Sequence, residues 1–150
     1  MYKDTVTLFN RRKNKTGTIW YPTILKNVDL NVDKASILKT YGADATDNAV
    51  LHIRYTNSDG NIIIGDKTYV KPKEWARTDG ASLITFTTGN GFDFFYAGAW
   101  KDEMPINDSD YVSSKYEGFY DYMNSYYDEI YSLSQVSRFS VIPHFEILAK

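Results

Sequence analysis

The sequence contains 150 residues, of which 43% are hydrophobic and 16% aromatic, and its formal net charge is −2 at pH 7. This length predicts one domain with a core large enough to fold without covalent cross-links. The lack of Cys excludes disulfides and thiolate metal sites and is typical of an intracellular protein. No apolar run approaches the ~20 residues of a membrane-spanning helix, and the first residues show no signal-peptide pattern.

The charges are unevenly distributed along the chain. Residues 1–40 carry eight Lys or Arg and three Asp, whereas residues 102–129 carry eight Asp or Glu and one Lys. This polarity suits head-to-tail packing of identical subunits, in which the basic part of one meets the acidic part of the next. The alternative is two solvated faces.

Two strands are predicted in the first 33 residues. Apolar and polar residues alternate in 4–10 and again, strictly, in 27–33, which is typical of strands with one wet face. The basic stretch 11–17 between them is interpreted as a flexible hairpin tip. Because its four cations lie outside every apolar pattern, we expect their joint replacement by Ser to shift the melting temperature by only a few degrees. The four are Arg11, Arg12, Lys13 and Lys15.

The clearest structural signal lies in residues 49–70. Residues 49–55 alternate in polarity, Asp59-Gly60 follows, and a second β-prone run begins at Ile62. Asp-Gly between two such runs predicts a hairpin, because Gly supplies the positive φ that the turn needs. Before this hairpin, 34–41 is either a helical turn or a strand, and 42–48 is loop by composition.

The second half of the chain contains shorter signals. Residues 72–77 begin with Pro and predict a single helical turn, and 82–88 predict a strand. The run 92–100 is the most aromatic of the sequence. Core packing or a subunit interface is favoured there over a sugar or base-stacking platform.

One amphipathic helix is predicted, over about 114–131. Its aromatic and aliphatic residues repeat every 3.6 positions, and Ser114 and Glu117 have the spacing of a capping box. A closing strand over about 136–148 is interrupted by Pro143, which suits an edge or a bulge. The fold class predicted for residues 1–150 is therefore mainly β, a single small antiparallel β-barrel or sandwich with one amphipathic helix near the C-terminus.

The sequence offers little support for catalysis. His52 and His144 have no closely spaced ligand partners, so we expect no metal site, and no nucleophile elbow surrounds any Ser. The carboxylates of 102–103 and 108–110 suggest a glycosidase pair, but helix-entry roles explain them better. We expect no cofactor and no enzymatic activity; a small hydrolase is the alternative, for which Asp108→Asn or Asp110→Asn would abolish turnover.

Several segments resemble a known family. Residues 1–10, 20–23, 28–31, 92–95 and 140–147 are similar to those of small minor capsid or neck proteins of tailed phages and prophages of Gram-positive bacteria. The resemblance covers most of the chain and implies a structural virion protein without covalent chemistry. The specific role implied is head closure: a stopper ring beneath the portal and its adaptor that retains packaged DNA and offers a docking surface to the tail.

The resemblance also implies partners and a location. These are a homo-oligomeric ring, hexamer or dodecamer, together with the portal-adaptor complex, the tail terminator or tail tube, and transient contact with packaged DNA. The location is the virion neck, assembled in the host cytoplasm, with no membrane contact. Alternatives are a tail terminator or other connector, and a carbohydrate- or receptor-binding β-domain.

The resemblance also implies candidate contact residues. For partner or channel contact they are Arg11, Arg12, Lys13, Lys15, Asp44 and Asp47. For the subunit interface they are Phe92, Phe94, Phe95, Tyr96, Trp100, Asp121 and Asp128.

Overall fold

The computed structural model describes residues 2–32, 49–78 and 82–150. The predictions for 34–41 and 42–48, and with them Asp44 and Asp47, lie outside the described residues. The strands are β1 (Asp4–Asn14), β2 (Gly17–Val32), β3 (Ala49–Arg54), β4 (Thr56–Ser58), β5 (Asn61–Ile64), β6 (Lys67–Tyr69), β7 (Leu83–Ile84), β8 (Phe94–Tyr96), β9 (Ile106–Asn107), β10 (Ile130–Phe139) and β11 (His144–Ala149). The helices are α1 (Pro72–Arg77), a 3-10 helix (Asp108–Tyr111) and α2 (Phe119–Tyr126).

Six strands close into an antiparallel barrel. Its order is β1-β8-β10-β11-β3-β2, and β2 pairs back onto β1 to complete the circle. The short β9 adds to the free side of β2. The mainly β class is confirmed, and the barrel is favoured over the sandwich because β1 and β2 pair with each other as well as with β8 and β3.

The barrel interior is filled by alternate residues of its strands, as the two-residue period of a strand requires. Leu8, Leu51 and Ile147 have no exposed surface and belong to the inner core. Phe94 and Phe95 are neighbours on β8 and point to opposite sides. Phe95 joins the inner core, and Phe94 joins a second, outer cluster that packs beneath α2.

The β1–β2 hairpin is longer than the sequence predicts. β1 continues through Asn14, β2 begins at Gly17, and only Lys15 and Thr16 form the turn, so the flexible tip predicted at 11–17 is wrong for residues 11–14 and 17. β2 runs unbroken from 17 to 32, and Asn27 adopts φ 58° where the register with β1 shifts by one residue. This bulge lets β2 pair with β1 along its first part and with β3 along its last.

A four-stranded sheet of order β4-β5-β6-β7 packs against one end of the barrel. The predicted Asp59-Gly60 turn is confirmed, with φ 52° and 80° at its two residues. The run 49–55, however, is not the first arm of that hairpin. It forms β3 in the barrel, and the hairpin begins after Tyr55. The strand predicted over 82–88 is only two residues long and runs parallel to β6.

The predicted helix 114–131 is wrong at both ends, since α2 spans Phe119–Tyr126. Ser114 is not its N-cap. Asp108 caps the helix from eleven residues earlier, because its Oδ1 accepts the Phe119 N–H at 2.8 Å and the Trp20 indole N–H at 2.9 Å. Gly118 makes this approach feasible, since a Cβ there would lie 2.7 Å from the Asp108 carboxylate oxygens.

The closing strand 136–148 is two strands. β10 begins at Ile130, inside the predicted helix, and a turn at residues 140–143 leads into β11. Pro143 lies in that turn, where no ladder hydrogen bond is lost. Within the described residues, no helix combines the length and the apolar character needed to cross a bilayer.

Candidate partner-binding groove

Arg12 lies at the centre of the most distinctive site. Its guanidinium carbon is 3.8 Å from the Trp75 ring centroid and 4.7 Å from that of Tyr21, and its Nε donates to the Trp75 carbonyl oxygen at 3.2 Å. Trp75 in turn donates its indole N–H to the Arg11 carbonyl oxygen at 2.8 Å. These contacts fasten α1 to the outer part of the β1–β2 hairpin.

The two terminal nitrogens of Arg12 are buried and have no hydrogen-bond partner among the residues that the structure describes. The residue as a whole is 5% exposed. A charged donor buried without an acceptor is unfavourable, because the hydration it has lost is not replaced. The guanidinium is therefore suited to receive an acceptor from outside the chain.

Arg12 lies in a groove of about 470 Å³, which we call the Arg12 groove. Every charged residue that lines it is basic, and the remaining walls are mainly apolar. The Arg11 guanidinium lies 5.0 Å from the Phe92 ring centroid, over its face, so the rim combines positive charge with an aromatic surface. The lining residues are Arg11, Arg12, Lys13, Pro72, Lys73, Trp75, Ala76, Thr87 and Phe92.

Asp93 holds the Phe92 side of the groove in place. Its carboxylate accepts the Arg11 and Thr87 backbone N–H groups and the Asn10 side-chain amide, each at 2.8 Å. Asp93 is fully buried, and burial raises its pKa to about 7 although all three donors favour the charged form. The carboxyl group thereby joins β1 to the loop before β8.

The structure brings four of the predicted contact residues together and separates the others. Arg11, Arg12, Lys13 and Phe92 line the same groove, whereas Lys15 lies exposed in the hairpin turn. The expected exposure of Arg12 is wrong, because α1 covers it. That burial depends on Trp75, which is 63 residues away in sequence, and no local pattern signals it.

The residues predicted for the subunit interface also lie in different environments. Phe94 and Phe95 have no exposed surface, so they form core and are unavailable to another subunit or to a sugar. Tyr96 and Trp100 are half-buried against the outer cluster, where their rings lie 5.3 and 6.2 Å from the Tyr127 ring. Asp121 accepts the Glu117 N–H at 2.8 Å, and Asp128 is exposed.

A second surface is acidic and lies just before β9. Asp102 and Glu103 are exposed, and Met104 beside them is 68% exposed. The Ile24 N–H donates to Glu103 at 2.7 Å, which fixes this segment against β2. We call residues 102–105 the acidic edge.

The turn between β10 and β11 forms a third surface, which is apolar. Val141 is 95% exposed and Ile142 74% exposed, with Phe139 beside them at the end of β10. The sequence predicts a closing strand through Val141 and Ile142, whereas both lie in the turn. The neighbouring Pro143 was the available signal for a turn here.

The remaining candidates for chemistry have structural roles. Asp108 caps α2, as its interpretation as a helix-entry residue implied. His52 and His144 meet across β3 and β11 with ring centroids 5.6 Å apart, and His52 Nε2 lies 3.6 Å from Glu146 Oε2. Across the three described ranges, no three His, Asp or Glu side chains are grouped to hold a metal ion.

The fold defines a small closed β-barrel protein. A family of unknown function, DUF6751, matches residues 1–150, and the chain belongs to that family. A search of curated proteins finds no match. A search of solved structures finds none either.

Proposed function

We propose that this protein is a structural component of the neck of a tailed phage, and specifically the head-completion or stopper ring. In this role it joins the portal-adaptor complex to the tail and retains packaged DNA, without covalent chemistry. The resemblance of its segments to minor capsid and neck proteins supplies the biological setting. A tail terminator or another connector is the alternative within the same setting.

The observation that carries a docking role is the apolar turn between β10 and β11. Two aliphatic side chains are exposed there, Val141 at 95% and Ile142 at 74%. Exposed apolar surface of this kind is typical of contact sites that another protein covers. In the proposed neck, the portal-adaptor complex covers it.

The first experiment measures the mass of the purified protein alone and with the portal-adaptor complex of its own phage. We expect a ring of stoichiometric copies on that complex. A protein that stays monomeric and does not bind the complex would contradict the proposal.

A matched pair of variants tests the apolar turn. Val141→Ser with Ile142→Ser should leave the melting temperature nearly unchanged, because exposed substitutions shift stability little, and should weaken binding to the portal-adaptor complex. Val112→Ser is the control, since Val112 is also exposed, at 57%, but lies outside this hairpin. If both variants bind the portal-adaptor complex equally well, the turn is not part of the docking surface.

A further inference from the structure

We propose that the Arg12 groove of one copy receives the acidic edge of a second copy, residues 102–105. The inference rests on the proposed ring and names the contact that builds it. In this contact the Asp102 carboxylate reaches the Arg12 guanidinium, and the Met104 side chain packs against the apolar wall that includes Phe92.

The chemistry of the groove selects a carboxylate. Arg12 has two buried terminal nitrogens that lack an acceptor within residues 2–32, 49–78 and 82–150, and a carboxylate satisfies a guanidinium through two parallel hydrogen bonds. Nε already donates to the Trp75 carbonyl oxygen, so the two terminal nitrogens are the donors left for an incoming carboxylate. Arg11, Lys13 and Lys73 add positive charge at the rim.

The shape of the groove favours a protein segment over nucleic acid. A nucleic-acid backbone is held by several exposed cations that each neutralise a phosphate. Here the central cation is 5% exposed, and much of the surrounding wall is apolar, from Pro72, Ala76 and Phe92. An acidic side chain next to an apolar one matches both properties.

The acidic edge supplies that pair of side chains. Asp102 and Glu103 are exposed, Met104 follows directly, and its side chain is 68% exposed although it is apolar. The hydrogen bond from Ile24 to Glu103 holds the segment in place before binding. A segment that is already ordered loses less conformational entropy when it binds.

The positions of the two surfaces suit a ring. Phe92 and the Arg12 groove lie towards the side of the β1–β2 hairpin where β8 pairs with β1. The acidic edge lies towards the opposite side, where β9 pairs with β2. Two different surfaces on opposite sides of one element make a heterologous contact, and such contacts close into rings when the rotation between copies permits.

A charge exchange on exposed residues tests the contact without disturbing Arg12. Asp102→Lys and Lys73→Glu should each weaken ring formation by about tenfold or more, because each places like charges together. Combining the two substitutions in one chain should recover part of the loss, because the exchanged charges at positions 102 and 73 attract each other while Arg12 keeps its positive charge. Native mass measurement, alone and on the portal-adaptor complex, gives the readout.

Glu129→Lys is the control for net charge. It makes the same change of charge at an exposed residue within the acidic part of the sequence. If Glu129→Lys weakens the ring as much as Asp102→Lys does, the attraction is non-specific and the proposed contact is wrong.

Disulfide trapping tests proximity directly, because the natural chain has no Cys. A mixture of Lys73→Cys and Met104→Cys proteins should cross-link between copies under mild oxidation, and a mixture of Lys73→Cys and Glu129→Cys should not. A ring without this cross-link would overturn the contact but keep the proposed function. A monomer under all conditions would overturn both, whereas a cross-linked ring that ignores the portal-adaptor complex would support the contact and contradict the neck role.

Discussion

At the scale of single residues, Asp93 and Arg12 are two buried charged groups in opposite situations. Asp93 accepts three hydrogen bonds that join β1 to the loop before β8. The terminal nitrogens of Arg12 have no partner in the described part of the chain. The Asp93 carboxyl therefore holds the groove together, and the Arg12 guanidinium can bind a group that enters the groove.

The raised pKa of Asp93 predicts a pH dependence of stability. Because the pKa of the carboxyl rises from 3.8 to about 7 on folding, the folded state binds a proton that the unfolded state releases between these values. The free energy of unfolding should therefore fall as the pH rises towards about 7, by up to about 1.4 kcal/mol per pH unit. Urea unfolding of the natural protein between pH 5 and 8 measures this slope.

Asp93→Asn is the comparison for that slope. The variant lacks the titrating group. Its free energy of unfolding should be lower than that of the natural protein, and it should not show the part of the pH dependence that Asp93 causes. Identical slopes in the two proteins would show that Asp93 does not titrate in this range.

Arg12 predicts a difference between two substitutions. Arg12→Ala removes the group packed between Trp75 and Tyr21 and should cost about 2 kcal/mol. Arg12→Met fills much of the same space without a buried, unpaired charge, so it should stay within about 1 kcal/mol of the natural protein. Chemical denaturation measures both, with Lys15→Ala as the exposed control.

This prediction replaces the expectation that changing all four basic residues at 11–15 to Ser would shift the melting temperature by only a few degrees. That expectation holds only for exposed side chains, and Arg12 is covered by α1. Equal free energies of unfolding for Arg12→Ala and Lys15→Ala would show that Arg12 behaves as an exposed side chain, as the sequence predicts.

At the scale of elements, α2 depends on a cap that is remote in sequence. Asp108→Ala should destabilise the fold by about 1–2 kcal/mol, because the Phe119 N–H and the Trp20 indole N–H both lose their acceptor. Asp108→Asn keeps an acceptor oxygen and should cost less. Asp110→Ala, two residues away on the same 3-10 helix, is the control, and thermal unfolding ranks the three.

The sequence predicts those elements whose causes are local. Asp59-Gly60 marks its turn because positive φ is a property of the residues themselves, and Pro72 marks the start of α1 for the same reason. The limits of α2 are missed because Ser114 and Glu117 mimic a capping box while the acceptor comes from Asp108. The Arg12 groove is missed because α1 closes it from far along the chain.

At the scale of the whole molecule, the barrel pairs strands that are distant in sequence. β1 pairs with β8 and β3 with β11, and no residue pattern within any of these strands names its partner. Alternating polarity predicts which side of each strand is buried. It does not predict the circular order that β2 completes by pairing with β1.

The closed barrel and the four-stranded sheet should differ in local stability. Amide protons in the pairing of β1 with β2 should exchange with solvent only through global unfolding, whereas those of the three-residue β4, whose side chains are all exposed, should exchange through local opening. Hydrogen exchange at increasing denaturant concentration separates the two routes. Uniform protection across both sheets would show that they unfold as one unit.

Closure of the barrel has a consequence for crowding. Because β1 and β2 pair with each other, neither of the two longest strands is a terminal strand of its sheet, and among the described strands the terminal positions belong to the short β9, β4 and β7. Long unpaired edges are where proteins add foreign strands and aggregate. Since a short terminal strand gives a foreign strand little to pair with, we expect many copies of this barrel to lie side by side with little edge-to-edge aggregation.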